Sequence, residues 1–289
     1  MAKGQMRCHA FLVMTSINWD QGRMEKSIPA RNGMSDLANK TALVTGASRG
    51  IGRATALALA EANARVLVHY GRSMAEANAV VEEIRAAGGQ ADAVQADLGT
   101  TEGASTLARR VRKLVEKRLD ILISNAGVSK AAALEDYEFE DFDMLFTINV
   151  RSPFFLVQQS LPMLAEGASI VLVSSLLART VPANAGQPDV PSLSAYAATK
   201  GAVETLVKHW AAEFGSRRIR VNAVAPGVIE TDMSNFTRTE SGRHLTLSMQ
   251  TLKRIGQPSD IADVIVFLCS ENARWITGAS IPVDGGSEL

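Results

Sequence analysis

From Thr41 onward the chain alternates between two hydrophobic patterns. Short β-branched runs, TALVTG, ARVLVHY, ADAVQAD, LDILISNAG, ASIVLVSS, IRVNAVAPG and ASIPVDGG, are mostly too apolar for strands wetted on one face. Between them ATALALAEA, AEANAVVEEIRAAGG, GASTLARRVRKLVEK, FDMLFTINVRSPFFLVQQSLPMLA and the stretch after Tyr196 carry apolar residues at helical spacing. Regular strand-then-helix alternation predicts a doubly wound α/β domain, because each parallel crossover must carry the chain back across the sheet. The expected sheet has seven strands, predominantly parallel, with helices on both faces. Ligands of such sheets bind outside the carboxyl ends of the strands, so the candidate chemistry is sought there. Up to about Gly33 no period is sustained, and Met34 opens SDLANKTALVTG, where patterning begins. The reading is an N-terminal extension over residues 1–34, expected to be disordered, and one domain over residues 35–289.

Charge narrows the partners. Lysine plus arginine equals aspartate plus glutamate at 30 each, so nothing favours nucleic acid or an anionic membrane surface over a small or neutral partner. No stretch reaches the roughly 18 apolar residues of a membrane span. The two cysteines, Cys8 and Cys269, make no disulfide framework, and Cys269 lies in the apolar run VIVFLC. His9, His69, His209 and His244 have no metal-ligand spacing, so no metal site is expected. Together these point to a metal-free protein of a reducing compartment, the cytoplasm.

The first strand runs into TGASRGIG, Thr45 to Gly52, and the first helix. Gly46, Gly50 and Gly52 let the backbone turn tightly and bring phosphate to bare amides at a helix N-terminus. This strand-to-helix placement makes the loop a dinucleotide-binding candidate. The same residues spell GASRG, the G-x-S-x-G pattern of a hydrolase nucleophile elbow, with Ser48 as the nucleophile. Against that rival, the pattern falls on the first strand, with no preceding strand to supply a second oxyanion donor. An NAD reader commonly ends its second strand with an acid that would repel a 2′-phosphate. Here VLVHYGRS puts Tyr70 at that place and Arg72 close behind, with Arg49 in the glycine loop as a second cation. Both arginines suit a phosphate, so NADP(H) is favoured over NAD(H).

Four ordered motifs resemble the short-chain dehydrogenase/reductase family over Leu37 to Gly286: TGxxxGxG at Thr45 to Gly52, SNAG at Ser124 to Gly127, YxxxK at Tyr196 to Lys200, and Pro226-Gly227 followed by Thr231. The resemblance implies a Rossmann-type domain and a nicotinamide-dependent oxidoreductase. It adds Ser48, Ile51 and Ser73 to the cofactor contacts of Gly46, Arg49, Gly50, Gly52 and Arg72. It places Asp97 and Leu98 at the adenine, and Asn125, Ala126 and Gly127 along the adenosine side. Pro226, Gly227, Ile229 and Thr231 fall at the nicotinamide end, the last two on the carboxamide. Asn149 matches the asparagine that keeps a water in the proton path, Ser175 the serine that binds the substrate carbonyl, and Tyr196 and Lys200 the catalytic pair, which also contacts the cofactor. Ser174 is the less favoured serine.

The chemistry also follows from the residues. Tyr196 and Lys200 stand one helical turn apart. Hydride transfer to a ketone leaves an alkoxide that needs a proton donor and a hydrogen-bond donor. A free tyrosine titrates near about 10, but a lysine cation roughly 6 to 7 Å away favours phenolate by about 2.5 kcal/mol, nearly two pKa units. The lysine is therefore expected to bring Tyr196 into working range.

Between Ser175 and Tyr196 lies LLARTVPANAGQPDVPSLSA, longer than the family's common spacing and expected to shape the pocket. Residues 231–250 read as a mobile substrate lid. Related 3-oxoacyl-[acyl-carrier-protein] reductases dock an acidic carrier on basic residues; here Glu166 replaces one cation, while Arg217 and Arg218 remain. A small ketone, aldehyde, sugar or secondary alcohol is preferred. The alternatives are that carrier-dependent reductase, an NAD-dependent sugar or polyol dehydrogenase, and a nucleotide-binding sensor without turnover. The resemblance further implies a homotetramer.

Overall fold

The computed structural model describes residues 36–115, 118–182, 185–186 and 190–287. The extension expected over residues 1–34, and part of the long loop after Ser175, lie outside them. Seven strands form one parallel sheet: β1 (Thr41–Val44), β2 (Arg65–Tyr70), β3 (Ala91–Gln95), β4 (Leu119–Ser124), β5 (Leu164–Val173), β6 (Arg220–Pro226) and β7 (Ser280–Val283). Their order is β3-β2-β1-β4-β5-β6-β7, so chain direction across the sheet reverses between β1 and β4. The crevice at that reversal is where a doubly wound fold binds its ligand.

The helices are α1 (Gly50–Glu61), α2 (Met74–Ala86), α3 (Gly103–Val115), α4 (Phe139–Phe146), α5 (Ser152–Ser160), α6 (Ser194–Phe214), α7 (Glu240–Met249) and α8 (Pro258–Cys269). Alternation along β1 divides the core. Ala42 and Val44 face one apolar layer with Leu59, Val80 and Ile265, while Leu43 faces another with Leu107, Leu156 and Val207. Every residue of β4 is buried, as a strand covered on both faces requires.

Three elements differ from the sequence expectation. The helix expected through LPMLA ends at Ser160, and β5 starts at Leu164. Pro162 between them lacks the N–H a further turn would need. A π turn, Thr147–Arg151, interrupts the same helix and carries Asn149. Helix α8 shows in the sequence only as the apolar run around Cys269. It begins with Pro258, and the Gln257 N–H donates to the Asp260 carboxylate at 2.7 Å.

Residues 231–250, expected as a lid, form a 3₁₀ turn over Asp232–Arg238 followed by α7, whose Thr239 hydroxyl accepts from the Gly242 N–H at 3.1 Å. Among the described residues no helix is long and apolar enough to cross a membrane.

One buried carboxylate holds the amino ends of β1 and β4 together. Asp120, 3% exposed, accepts from the Thr41 N–H at 3.0 Å and from Arg118 Nε at 3.0 Å, with Lys40 Nζ at 3.7 Å. Asp120→Ala removes these bonds and is expected to cost about 1.5–3 kcal/mol. Urea unfolding should show a lower midpoint with an unchanged slope.

Candidate active site

The sheet reversal brings the predicted motifs to one place. Thr45, just past β1, donates its hydroxyl to the Ile123 carbonyl at 3.2 Å and accepts from the N–H groups of Asn125 and Ala126, both at 2.9 Å. The Asn125 amide returns to the carbonyls of Thr45 at 2.8 Å and Gly46 at 3.1 Å. Gly46 and Gly50 have φ of 63° and 56°, the left-handed region where a side chain is strained. A Cβ on Gly52 would overlap the Gly46 carbonyl oxygen and the Asn125 amide. Arg49 at the N-cap of α1 makes no side-chain cap, so no side chain there competes for the first amides of the helix. A turn that excludes side chains and leads into those amides fits the pyrophosphate of a dinucleotide. Ser48 and Ile51 are half-buried in it.

The charged candidates stand around this loop. Arg72, 92% exposed, lies 3.5 Å from the Asp97 carboxylate, and Arg49 lies 3.7 Å from Asp232. Both guanidiniums therefore face carboxylates across contacts too long and too wet to hold them firmly. Ser73 is the N-cap of α2, without a side-chain cap bond. Asp97 also accepts from the Gly99 N–H at 2.9 Å, and the Leu98 carbonyl accepts from the Ser152 hydroxyl at 2.6 Å.

On the other side of the crevice, α6 starts at Ser194 and puts Tyr196 in its first turn and Lys200 in its second. Ser175 follows β5 as the N-cap of the 3₁₀ turn Leu176–Ala178, where its hydroxyl accepts from the Leu177 N–H at 3.2 Å. Tyr196, 9% exposed, has its pKa raised by burial, and a hydrogen bond with the Ser175 side chain pulls it back down. Lys200 Nζ lies 5.6 Å from the centre of the Tyr196 ring and donates to the Val173 carbonyl at 2.8 Å. Burial lowers the lysine's own pKa to about 8. The lowering expected from Lys200 is thus opposed by burial, which acts against charge on both groups.

Asn149 sits buried in the π turn. Its side chain is engaged with the Val128 carbonyl (2.9 Å), the Val128 N–H (2.9 Å) and the Thr199 hydroxyl (3.0 Å), so it ties the strand-end segment to α6. Gly127 lies beside it. A Cβ there would sit 3.3 Å from Asn149 Oδ1 and 3.6 Å from Lys200 Nζ. Pro226 ends β6, and the Gly227 N–H donates to the Val283 carbonyl at 3.2 Å. Ile229 bridges to Gly256, and its carbonyl accepts from the Ser234 hydroxyl. Thr231 reaches back to the glycine loop, where a Cβ on Gly50 would lie 3.3 Å from Thr231 Cγ2.

With this arrangement in place, the comparisons are decisive. The family described as enoyl-(acyl carrier protein) reductase matches residues 46–288. Versicolorin reductase 1 of Aspergillus parasiticus is 41% identical over 270 residues, covering 88% of this chain and 99% of that one. The chain belongs to the short-chain dehydrogenase/reductase family. A probable tetrahydroxynaphthalene reductase of Zymoseptoria tritici is 38% identical over 270 residues, covering 88% of this chain and 96% of that one. The crystal structure of an angucycline C-6 ketoreductase with bound NADP matches at 40% identity with a TM-score of 0.81, covering 88% and 97% of the two chains.

Within this family member one binding-loop residue escaped the sequence reading. His69, on β2 and 2% exposed, accepts the Gly46 N–H on Nδ1 at 3.0 Å, while Nε2 sits 3.0 Å from the Ala96 carbonyl. Only the neutral ring protonated on Nε2 satisfies both partners. It fastens the glycine loop after β1 to the Asp97 turn after β3. Both ring nitrogens being engaged, His69 is also no base for Ser48 in a hydrolase elbow. Its only signal in the sequence was a lone polar residue inside an apolar strand.

Burial lowers the pKa of His69 from 6.5 to about 4. A depressed histidine contributes stability that is present above the unfolded pKa and is lost as pH falls from about 6.5 towards about 4. The change between about pH 7 and about pH 5 amounts to about 2 kcal/mol. His69→Gln offers an acceptor and a donor without titrating. Chemical denaturation at both pH values should show a smaller acid loss in that variant than in the parent; an equal loss would remove His69 from the account.

Proposed function

We propose that the protein is an NADP-dependent reductase of ketones carried on fused aromatic rings, working through Tyr196, Ser175, Lys200 and Asn149. The reaction class, an oxidoreductase acting at a carbonyl or secondary alcohol with NADP, follows from family membership and from relatives crystallised with that cofactor. The observation that carries the catalytic assignment is the burial of Tyr196 and Ser175, each 9% exposed, with Lys200 on the next turn of the same helix, its Nζ 5.6 Å from the centre of the tyrosine ring. Relatives named for tetrahydroxynaphthalene, versicolorin and an angucycline support the aromatic substrate. Docking on an acidic carrier is disfavoured. Arg218 is paired with Glu166 at 2.7 Å, and Arg217 donates to the carbonyls of Leu161 at 3.1 Å and Leu164 at 2.6 Å.

When bound, the dinucleotide supplies the hydride. The glycine turn and the amides of α1 hold its pyrophosphate, with Ser48 and Ile51 in the same loop; Arg49, Arg72 and Ser73 are placed to receive the 2′-phosphate. Asp97 and Leu98 flank the adenine. Asn125, Ala126 and Gly127 line the adenosine side, and Pro226, Gly227, Ile229 and Thr231 take the nicotinamide end. At the substrate, Ser175 donates a hydrogen bond to the carbonyl oxygen and Tyr196 delivers the proton as charge develops there. Lys200 keeps a cation beside the tyrosine. Asn149 fixes the Val128 segment against α6. The homotetramer belongs to the same reading: Phe154 and Phe155 on α5, 39% and 40% exposed, and Trp275, 97% exposed, leave aromatic surface for other copies to cover.

The test follows absorbance of NADPH and NADH against β-tetralone, phenanthrenequinone, an aliphatic ketone and a sugar. The aromatic ketones with NADPH should be reduced fastest, and preference for the sugar with NADH would favour the polyol reading instead. Tyr196→Phe should bind NADPH normally and lose turnover by about 10²- to 10⁴-fold.

The pH profile has a defined sign. Reduction needs a proton on Tyr196, which burial secures, and a charged Lys200, which is present below about 8 and is lost as pH rises through that value. The kcat/KM for reduction should therefore fall above about pH 8.

A further inference from the structure

A second acid-base cluster lies directly behind the proton-handling groups. Tyr196, Lys200 and Glu204 are spaced one turn apart on α6 and share a face. Glu204 is 12% exposed at its side chain, and its carboxylate accepts three hydrogen bonds, two from the segment after β5 and one from β7. Oε1 accepts from the Ser174 hydroxyl at 3.2 Å and from the Ser280 hydroxyl on β7 at 2.7 Å; Oε2 accepts from Arg179 Nε at 2.8 Å. Arg179 closes the network by donating to the Ser280 carbonyl at 2.9 Å. Ser174 is 2% exposed and also points its hydroxyl at the Lys200 carbonyl, 3.4 Å away.

Ser174 and Arg179 bracket a short segment. Between them lie Ser175 and the 3₁₀ turn Leu176–Ala178, and beyond Arg179 the long loop departs. Both ends of the Ser175 segment are thus fastened to one carboxylate, carried by the same helix as Tyr196. We propose that Glu204 is a positioning residue, which with Arg179 and Ser174 sets the distance between the Ser175 hydroxyl and the Tyr196 phenol. The proposal rests on the assignment of Ser175 and Tyr196 above. It gives Ser174 a task different from binding the carbonyl. The network fits this role chemically: an anion with three donors, one of them a guanidinium, is satisfied in a half-dry site, and each donor comes from an element that must not drift. Orientation is where catalysis is most sensitive, since a displacement of about 1 Å can cost about 10²-fold in rate.

The experiment measures kcat, KM for NADPH and thermal unfolding for Glu204→Ala, Glu204→Gln, Arg179→Met and Tyr196→Phe, with phenanthrenequinone as substrate. Glu204→Gln keeps an acceptor for the two serines but turns an uncharged NH2 donor towards Arg179. The expected order is a fall in kcat of about tenfold to a hundredfold for Glu204→Ala and a smaller fall for Glu204→Gln and Arg179→Met. KM for NADPH should stay within about twofold, because the glycine loop lies on the other side of the crevice. Combining Glu204→Gln with Arg179→Met should cost less than the sum of the two.

Unchanged kcat in folded Glu204→Ala, or a loss of kcat that only parallels a loss of folded protein and of NADPH binding, would overturn the positioning role. If Glu204→Ala does not fold, Glu204→Gln and Arg179→Met decide in the same way. The Tyr196→Phe arm separates the two readings. An active Tyr196→Phe would sink the assignment of the site, whereas an inactive Tyr196→Phe beside fully active Glu204 and Arg179 variants would sink this inference alone.

Discussion

The junction between β1 and β4 is the constraint on which the site depends. Two parallel strands diverge there in connection, and the gap they leave at their carboxyl ends would fill with side chains if the sequence allowed it. Thr45 and Asn125 hold the two strand ends together through five side-chain hydrogen bonds, while Gly46 and Gly52 keep the space empty of side chains. Binding capacity arises from this combination. The polar groups of the junction satisfy one another, so the first amides of α1 are left for an anion. His69 extends the same logic one strand outward.

Much of this was legible in the chain. The seven strands came from buried apolar runs, and all seven are present; their parallel arrangement followed from strand-helix alternation. Gly46, Gly52, Tyr196 and Lys200 were legible because each has a requirement that few residue types meet: no Cβ, or a phenol and an amine one turn apart. Positions with such narrow requirements declare themselves locally.

What escaped were features whose meaning lies in contacts distant in sequence. His69 reads as a polar interruption of β2 until Gly46 and the Ala96 carbonyl are seen on either side of its ring. Glu204 reads as a solvated helix residue until Ser174, Arg179 and Ser280 converge on it. The π turn at Asn149 adds no residue type that a helical period would flag. The direction of the Tyr196 shift was missed for a related reason. A cation one turn away can be counted from the sequence, whereas the depth of burial that opposes it depends on packing from α4, Leu177 and the Val128 segment.

Carrying Tyr196, Lys200 and Glu204 on a single helix has a mechanical consequence. Rotation or sliding of α6 as a rigid body moves all three together, so the phenol-ammonium separation is immune to the commonest displacement of a packed helix. The remaining soft coordinate is the one between that helix and the end of β5, and the carboxylate two turns below the phenol spans it. Thermal noise in the scaffold is thereby converted from an error in relative geometry into a shared translation, to which proton transfer within the group is indifferent.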